Sequence, residues 1–165
     1  MDFTRMFEEH YEAVLRYAWR RVGATDASDV AAETFRIAWE KRSRCPVDKP
    51  LPWLYATARN VTQNLRRRER RREALPLHED AASETDHAGA VVNREAAIAA
   101  LNTLKPADRE LVLLVSWEGL DLRQAAAVVG ITRAAAGMRL HRARDHLRRA
   151  LAGTPEPAAY EERFS

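Results

Sequence analysis

Asn60, Asn64, Arg67 and Arg71 sit four, three and four residues apart, the spacing of one helix face. Their chemistry suits nucleic acid. Amide side chains pair donor and acceptor against a base edge, and guanidiniums fork onto phosphate oxygens. They belong to NVTQNLRRRERRRE, Asn60–Glu73, where six arginines meet two glutamates. A merely solvated helix would more often mix Glu with Lys at i,i+4. Taken alone, the run fits a solvated face as well as a nucleic-acid contact. A second basic set, Arg133, Arg139, Arg142, Arg144, Arg148 and Arg149, follows Gly130 and Thr132.

Nothing comparable points to catalysis. The histidines are His10, His78, His87, His141 and His146. His141 and Asp145 are i,i+4 and read as a surface pair; His78 and His87 have no third ligand at useful spacing. The single cysteine, Cys45, excludes a disulfide framework and a four-thiolate zinc site. Nothing in sequence near Cys45 requires a reactive thiol. No nucleophile-plus-base arrangement is visible. The expectation is a protein that is not an enzyme and uses no cofactor and no metal.

The elements that must position these residues read as helices. Phe7, Tyr11, Val14, Leu15, Ala18 and Val22 follow helical spacing from about Phe3, and GATD breaks the pattern. Thr25 or Asp26 can cap the next helix, which ends near Arg42. SRCPVDKP, Ser43–Pro50, reads as a loop, and Pro52 falls in the first turn of a third helix. Leu54, Ala58, Val61 and Leu65 give that helix its apolar stripe. Later, Asn93 can cap a helix through Leu104, and Pro106 opens another that Gly119 stops. Asp121 and Gln124 fit a capping box for LRQAAAVV. Gly130 turns the chain, Thr132 caps again, and Ala136, Leu140, Ala143 and Leu147 line the buried side of a long basic helix. Short helix, glycine turn and basic second helix form the helix-turn-helix pattern, whose second helix enters the major groove.

The chain has 165 residues, 46% of them hydrophobic, enough for a packed core. Net charge is +3 and the pI about 9.3. Arginine far outnumbers lysine, which suits phosphate and guanine contacts. ALPLHEDAASETDHAGAVV interrupts the basic segments with four acidic residues and no Lys or Arg. No run has signal-peptide character or bilayer length. The expected organisation is all-α: a helical domain over residues 1–73, an acidic linker over 74–92, a helix-turn-helix domain over 93–151 and a tail over 152–165. The expected location is cytoplasmic, without membrane insertion.

Three blocks in order resemble the extracytoplasmic-function (ECF) sigma factors, the group IV initiation subunits of bacterial RNA polymerase. DASDVAAETFRIAWE (Asp26–Glu40) is similar to the family's core-binding helix. LPWLYATARNVTQNLRRRERR (Leu51–Arg71) resembles its −10 helix. The stretch Leu104–Leu151 looks like its −35-reading domain. The resemblance implies domain 2 and domain 4 of a sigma factor, with core RNA polymerase and promoter DNA as partners and an anti-sigma factor as regulator. It assigns Asp29, Glu33 and Arg36 to polymerase docking. It assigns Trp53, Thr57, Asn60, Asn64, Arg67 and Arg71 to the −10 element, with core packing the alternative for Trp53. Thr132, Arg133, Arg139, Arg142 and Arg144 fall to the −35 element. The acidic linker would thread the polymerase interior.

Three positions depart from the family pattern. Ala32 stands where Gln is usual before ETF, removing a polar group from the docking face. Ala135 and Gly137 stand where Thr and Lys are frequent in the reading helix, and Gly137 costs about 1 kcal/mol of helix stability relative to alanine. The rival reading is a helix-turn-helix transcription regulator, or a sigma-like decoy, that never docks on polymerase. It does not account for ETFRIAW followed by ARN and the arginine run.

Overall fold

A computed structural model describes residues 2–70 and 88–153. Six α-helices and one 3-10 turn make up the described residues, with no strand among them. Arg71, most of the acidic stretch, His78, His87 and the tail from Thr154 lie outside the described residues.

Helix α1 runs Phe3–Glu40, with Asp2 capping its start through Oδ1, which accepts from the Thr4 N–H at 3.2 Å. Gly23 divides it into two arms, at φ 80° and ψ 177°. That conformation is open to glycine and strained for any residue with a Cβ. The break therefore falls on the glycine itself, two residues before the expected cap. Val14, Tyr17, Ala18 and Val22 are buried on the first arm, and Ala27, Val30, Ala31, Phe35 and Ala38 on the second. After the turn Arg42–Arg44, helix α2 runs Pro50–Glu69. Pro50 occupies its first position, where a missing N–H is harmless. Leu54 and Ala58 are fully buried, and Val61 and Leu65 pack on Ala18, Val22, Ala27 and Val30. The three arms thus share one core.

The second group holds α3 (Ala88–Asn102), α4 (Pro106–Ser116), α5 (Leu122–Val129) and α6 (Arg133–Ala152). Helix α3 begins earlier than Asn93 suggested, so residues 88–92 of the segment expected to be linker are helical. The alanines there favour helix and no proline stops it. Leu101, Leu104, Val112, Leu113, Leu140 and Ala143 form the core of this group. The capping box at α5 is formed: Gln124 N–H donates to Asp121 Oδ1 at 2.8 Å, and Asp121 N–H to Gln124 Oε1 at 3.0 Å. Gly130 ends α5 in the left-handed region at φ 79°, and the Thr132 hydroxyl caps α6 by accepting from Ala135 N–H at 3.1 Å. Helix α5 packs on α2, and Leu111, Leu114, Ala125 and Val128 join the same apolar cluster as Val14, Phe35 and Leu54.

Candidate nucleic-acid interface

Helix α2 has three faces. The apolar stripe seals it to α1. A second face, with Arg59, Thr62, Gln63 and Arg66, meets Pro106, Ala107 and Glu110 of α4 across a cavity of about 160 Å³. The third carries Trp53, Thr57, Asn60, Asn64 and Arg67 at alternating steps of four and three. Along it, Asn60, Asn64 and Arg67 are exposed, while Trp53 and Thr57 are half-buried. Trp53 packs against the apolar cluster, and the Thr57 hydroxyl donates to the Trp53 carbonyl at 3.0 Å. The stripe therefore passes from an aromatic base through amides to a guanidinium. Arg71, four residues after Arg67 in sequence, lies outside the described residues. Arg66, first of the arginine run, turns inward instead: it donates to the Arg21 carbonyl at 2.7 Å, and burial lowers its pKa.

Helix α6 buries Ala136, Leu140 and Ala143, with Leu147 half-buried. Arg133, Arg142 and Arg144 are exposed. Thr132 serves its own helix as cap. Arg139 lies 3.4 Å from Asp108 of α4 and is half-buried, so it flanks the helix rather than crowning it. The departures at Ala135 and Gly137 also fall on the flanks. Both are half-buried, and a Cβ at Gly137 would lie 3.4 Å from Leu122 Cδ2. That is ordinary contact distance, so packing against α5 does not require glycine there. The outermost positions are Ala134, Met138 and His141, all exposed, with His141 Nε2 3.4 Å from Asp145. Sequence reasoning passed over Met138, although the side opposite Ala136, Leu140 and Ala143 points to it.

On α1, Asp29 and Arg36 are exposed and Glu33 is half-buried. Arg36 donates to both oxygens of Glu33, at 2.7 and 2.9 Å, and also pairs with Glu40. The hydrogen bond from Arg36 holds the Glu33 carboxyl below its ordinary pKa. Ala32 is exposed beside them. One turn on, Trp39 is 50% exposed, edge-on to Phe3 with ring centroids 5.1 Å apart. This aromatic neighbour of the ion pairs had no sequence signal beyond its type. Cys45 is half-buried, its Sγ 3.8 Å from Met6 Sδ, and burial raises the thiol pKa, which disfavours the reactive thiolate.

The most highly charged contact joins the two groups of helices. Arg21 of α1 is 2% exposed. Its Nε donates to Glu110 Oε2 at 3.0 Å and its Nη1 to Glu118 Oε1 at 3.2 Å. Arg20 reaches the same Glu118 oxygen at 2.7 Å, and the Tyr17 hydroxyl donates to Glu110 Oε1 at 2.7 Å. The Arg21 guanidinium also lies 3.6 Å from the centre of the Tyr17 ring. Burial pushes the Glu110 carboxyl towards neutrality, but the charge and hydrogen bonds of Arg21, with the Tyr17 hydroxyl, outweigh it, and its pKa falls below the ordinary value. Burial works against the Arg21 charge too, and Glu110, Tyr17 and Glu118 outweigh it, so its pKa is raised. The seam is not fully satisfied: Arg20 Nε, Thr62 Oγ1 and Arg66 Nε are buried without hydrogen-bond partners.

Among the described residues, no group of three or more His, Cys, Asp or Glu could hold a metal ion, and no helix is long and apolar enough to cross a membrane. Two helical groups, one of them carrying a helix-turn-helix with a basic second helix, have the architecture of a DNA-binding protein. Residues 6–72 match the Sigma-70 region 2 family and residues 94–147 the Sigma-70 region 4 family. The chain is 32% identical over 155 residues to the RNA polymerase sigma factor CarQ of Myxococcus xanthus, covering 90% of this chain and 88% of that protein. It is 30% identical over 159 residues to the ECF RNA polymerase sigma factor SigE of Mycolicibacterium smegmatis, covering 92% of this chain and 62% of that one. The fold is similar to that of the sigma factor RpoE in its complex with the anti-sigma factor NepR from Bartonella quintana, with TM-score 0.72, 23% identity and 93% and 99% of the two chains covered. It is also similar to CnrH in complex with the cytosolic domain of CnrY, with TM-score 0.69, 24% identity, and coverage of 93% and 89%.

The chain belongs to the ECF sigma factors. It binds core RNA polymerase and promoter DNA and directs transcription initiation, with no catalytic activity of its own. The rival reading, a regulator that never docks, is not favoured, because it leaves the region 2 match over residues 6–72 without a purpose.

Proposed function

We propose that the open stripe of α2 takes the −10 element and the outer side of α6 the −35 element. The observation that carries this is the fate of the three α2 faces. Helix α2 packs on α1 and α5, its second face meets α4 across the cavity, and the face left open exposes Asn60, Asn64 and Arg67 above the half-buried Trp53 and Thr57. Melting requires capture of unstacked bases on an aromatic surface with polar edges, and cations to hold the displaced strand. Trp53 and Thr57 sit at the base of the stripe, Asn60 and Asn64 read, and Arg67 with Arg71 holds phosphate. On α6, Thr132 fixes the helix start, and Arg133, Arg142 and Arg144 hold the duplex, with Arg139 braced by Asp108. Asp29, Glu33 and Arg36 dock on core polymerase in the cytoplasm.

The Arg21 cluster makes this arrangement a closed state. Elements at −10 and −35 lie about 25 base pairs apart, or about 85 Å at 3.4 Å per pair. Helices α1 and α4 in direct contact do not span that distance, so the two groups part when both elements are engaged. The unsatisfied polar atoms along the seam lower the cost of parting. An anti-sigma factor holds the chain in the closed state. RpoE and CnrH, which share the fold, are seen with NepR and CnrY, and the exposed Trp39 and Phe7 offer such a partner apolar surface.

The test is holoenzyme binding to promoters with matched and mismatched −10 elements across a salt series. Asn60→Ala should cost about 1–3 kcal/mol on the matched element and little on the mismatched one. Arg67→Ala with Arg71→Ala should weaken every promoter alike and lower the salt slope by about one unit per lost phosphate contact. A double-arginine variant with the wild-type slope would return the run to a solvated face.

A further inference from the structure

We infer that Met138 reads a thymine by its C5-methyl group within the −35 element. The inference rests on the placement of α6 proposed above. Among the described large hydrophobic side chains Met138 is the most exposed, at 65%. At about 100° per residue, it stands opposite the buried stripe of Ala136, Leu140 and Ala143. Ala134, one turn before it, is exposed and offers only a methyl group, so the helix can approach a groove closely there. Arg133, near the helix start, and Arg142, about one turn beyond Met138, are exposed and complement a phosphate backbone. Arg139, the neighbouring cation, is drawn aside to Asp108. Gly137 packs towards Leu122. The outer surface of α6 is therefore apolar at Ala134 and Met138, with exposed arginines nearby and the His141–Asp145 pair from one turn further along.

An apolar centre selects an apolar partner. In the major groove the thymine methyl is the only apolar group a base pair presents, and every other distinguishing group is a hydrogen-bond donor or acceptor. A flexible thioether chain fits such a contact without a fixed rotamer. Readout at this position is thus apolar, while the arginines set register.

The experiment uses holoenzyme formed with the full chain and a selected promoter. Each thymine of the −35 element is replaced singly by uracil, which removes only the methyl. For the wild type, one position should lose about fourfold in affinity, the worth of one buried methyl. Met138→Ala should bind the thymine and uracil forms equally, as weakly as the wild type binds uracil, and Met138→Leu should keep the preference. Either of two results overturns the inference: a wild type indifferent to uracil everywhere, or Met138→Ala weakened by the same factor on both forms. The second result would leave Met138 as a surface for a protein partner. A wild type that does not distinguish the −35 element from a scrambled one would remove the α6 reading itself, which the uracil series alone does not.

Discussion

Replacing Arg21 with leucine should open the molecule. In the closed state Arg21 sits between Glu110 and Glu118, 2% exposed, with both carboxylates supplied by the other helical group. Leucine leaves two carboxylates facing an apolar side chain, with Arg20 and the Tyr17 hydroxyl as their remaining partners. Removing one partner of a buried pair costs about 3–5 kcal/mol. Once the groups part, both carboxylates return to water, so the penalty falls on closure and not on either group alone. Even about 3 kcal/mol shifts the open–closed ratio by more than a hundredfold, at about 1.4 kcal/mol per factor of ten. Energy transfer between dyes on Val47→Cys and Arg148→Cys, both exposed positions, in a Cys45→Ser background reports the distance. The expected result is a drop in transfer for Arg21→Leu, with a smaller drop for Glu118→Gln. Unchanged transfer in Arg21→Leu, with the wild type closed, would mean that apolar packing of α2 on α5 holds the seam and the ion cluster contributes nothing.

Acid should open the same seam. The pKa of Glu110 is lowered by folding from an ordinary value of 4.5, so its contribution is fully present above that pH and is lost as pH falls through the lowered value; transfer should stay flat from about pH 6 to 8. Lysine at both Asp29 and Glu33 should weaken core-polymerase binding in a pull-down titration while leaving DNA affinity of the second helical group unchanged; equal core affinity would move docking to the Trp39 aromatic patch. Gly23→Ala should lower stability by about 1–3 kcal/mol, measured by denaturant unfolding, because φ 80° with ψ 177° is a glycine conformation; a neutral result would mean that the two arms of α1 adjust without strain.

Local structure was legible wherever a side chain or ring acts on its own backbone. Asp121, Gln124, Gly130 and Thr132 mark the helix-turn-helix because capping and left-handed turns need those residue types at those offsets. The apolar stripes of α2 and α6 follow from spacing alone. The start of α3 was not legible, since Asn93 can cap but the alanines before it extend the helix. Arg21 was invisible for a deeper reason. It lies in an ordinary WRRVG, and its partners are 89 and 97 residues away, so only the tertiary fold separates it from its neighbour Arg20. Arg66 escaped likewise, as one arginine in a run whose other described members, Arg67, Arg68 and Arg70, are exposed. Met138 has neither charge nor amide to mark it in the sequence, and only its exposure in the fold singles it out.

On the function proposed above, this chain confers promoter choice through two separate helix faces. Run-off transcription tests it directly, with purified core polymerase on a library of genomic fragments, comparing wild type, Asn60→Ala and Arg142→Ala. Transcripts should appear only when the protein is added, from fragments sharing two spaced elements. Asn60→Ala should relax selection at the downstream element alone, and Arg142→Ala should lower output through the upstream one. Transcripts with no shared pair of elements, or both variants altering the same element, would contradict it.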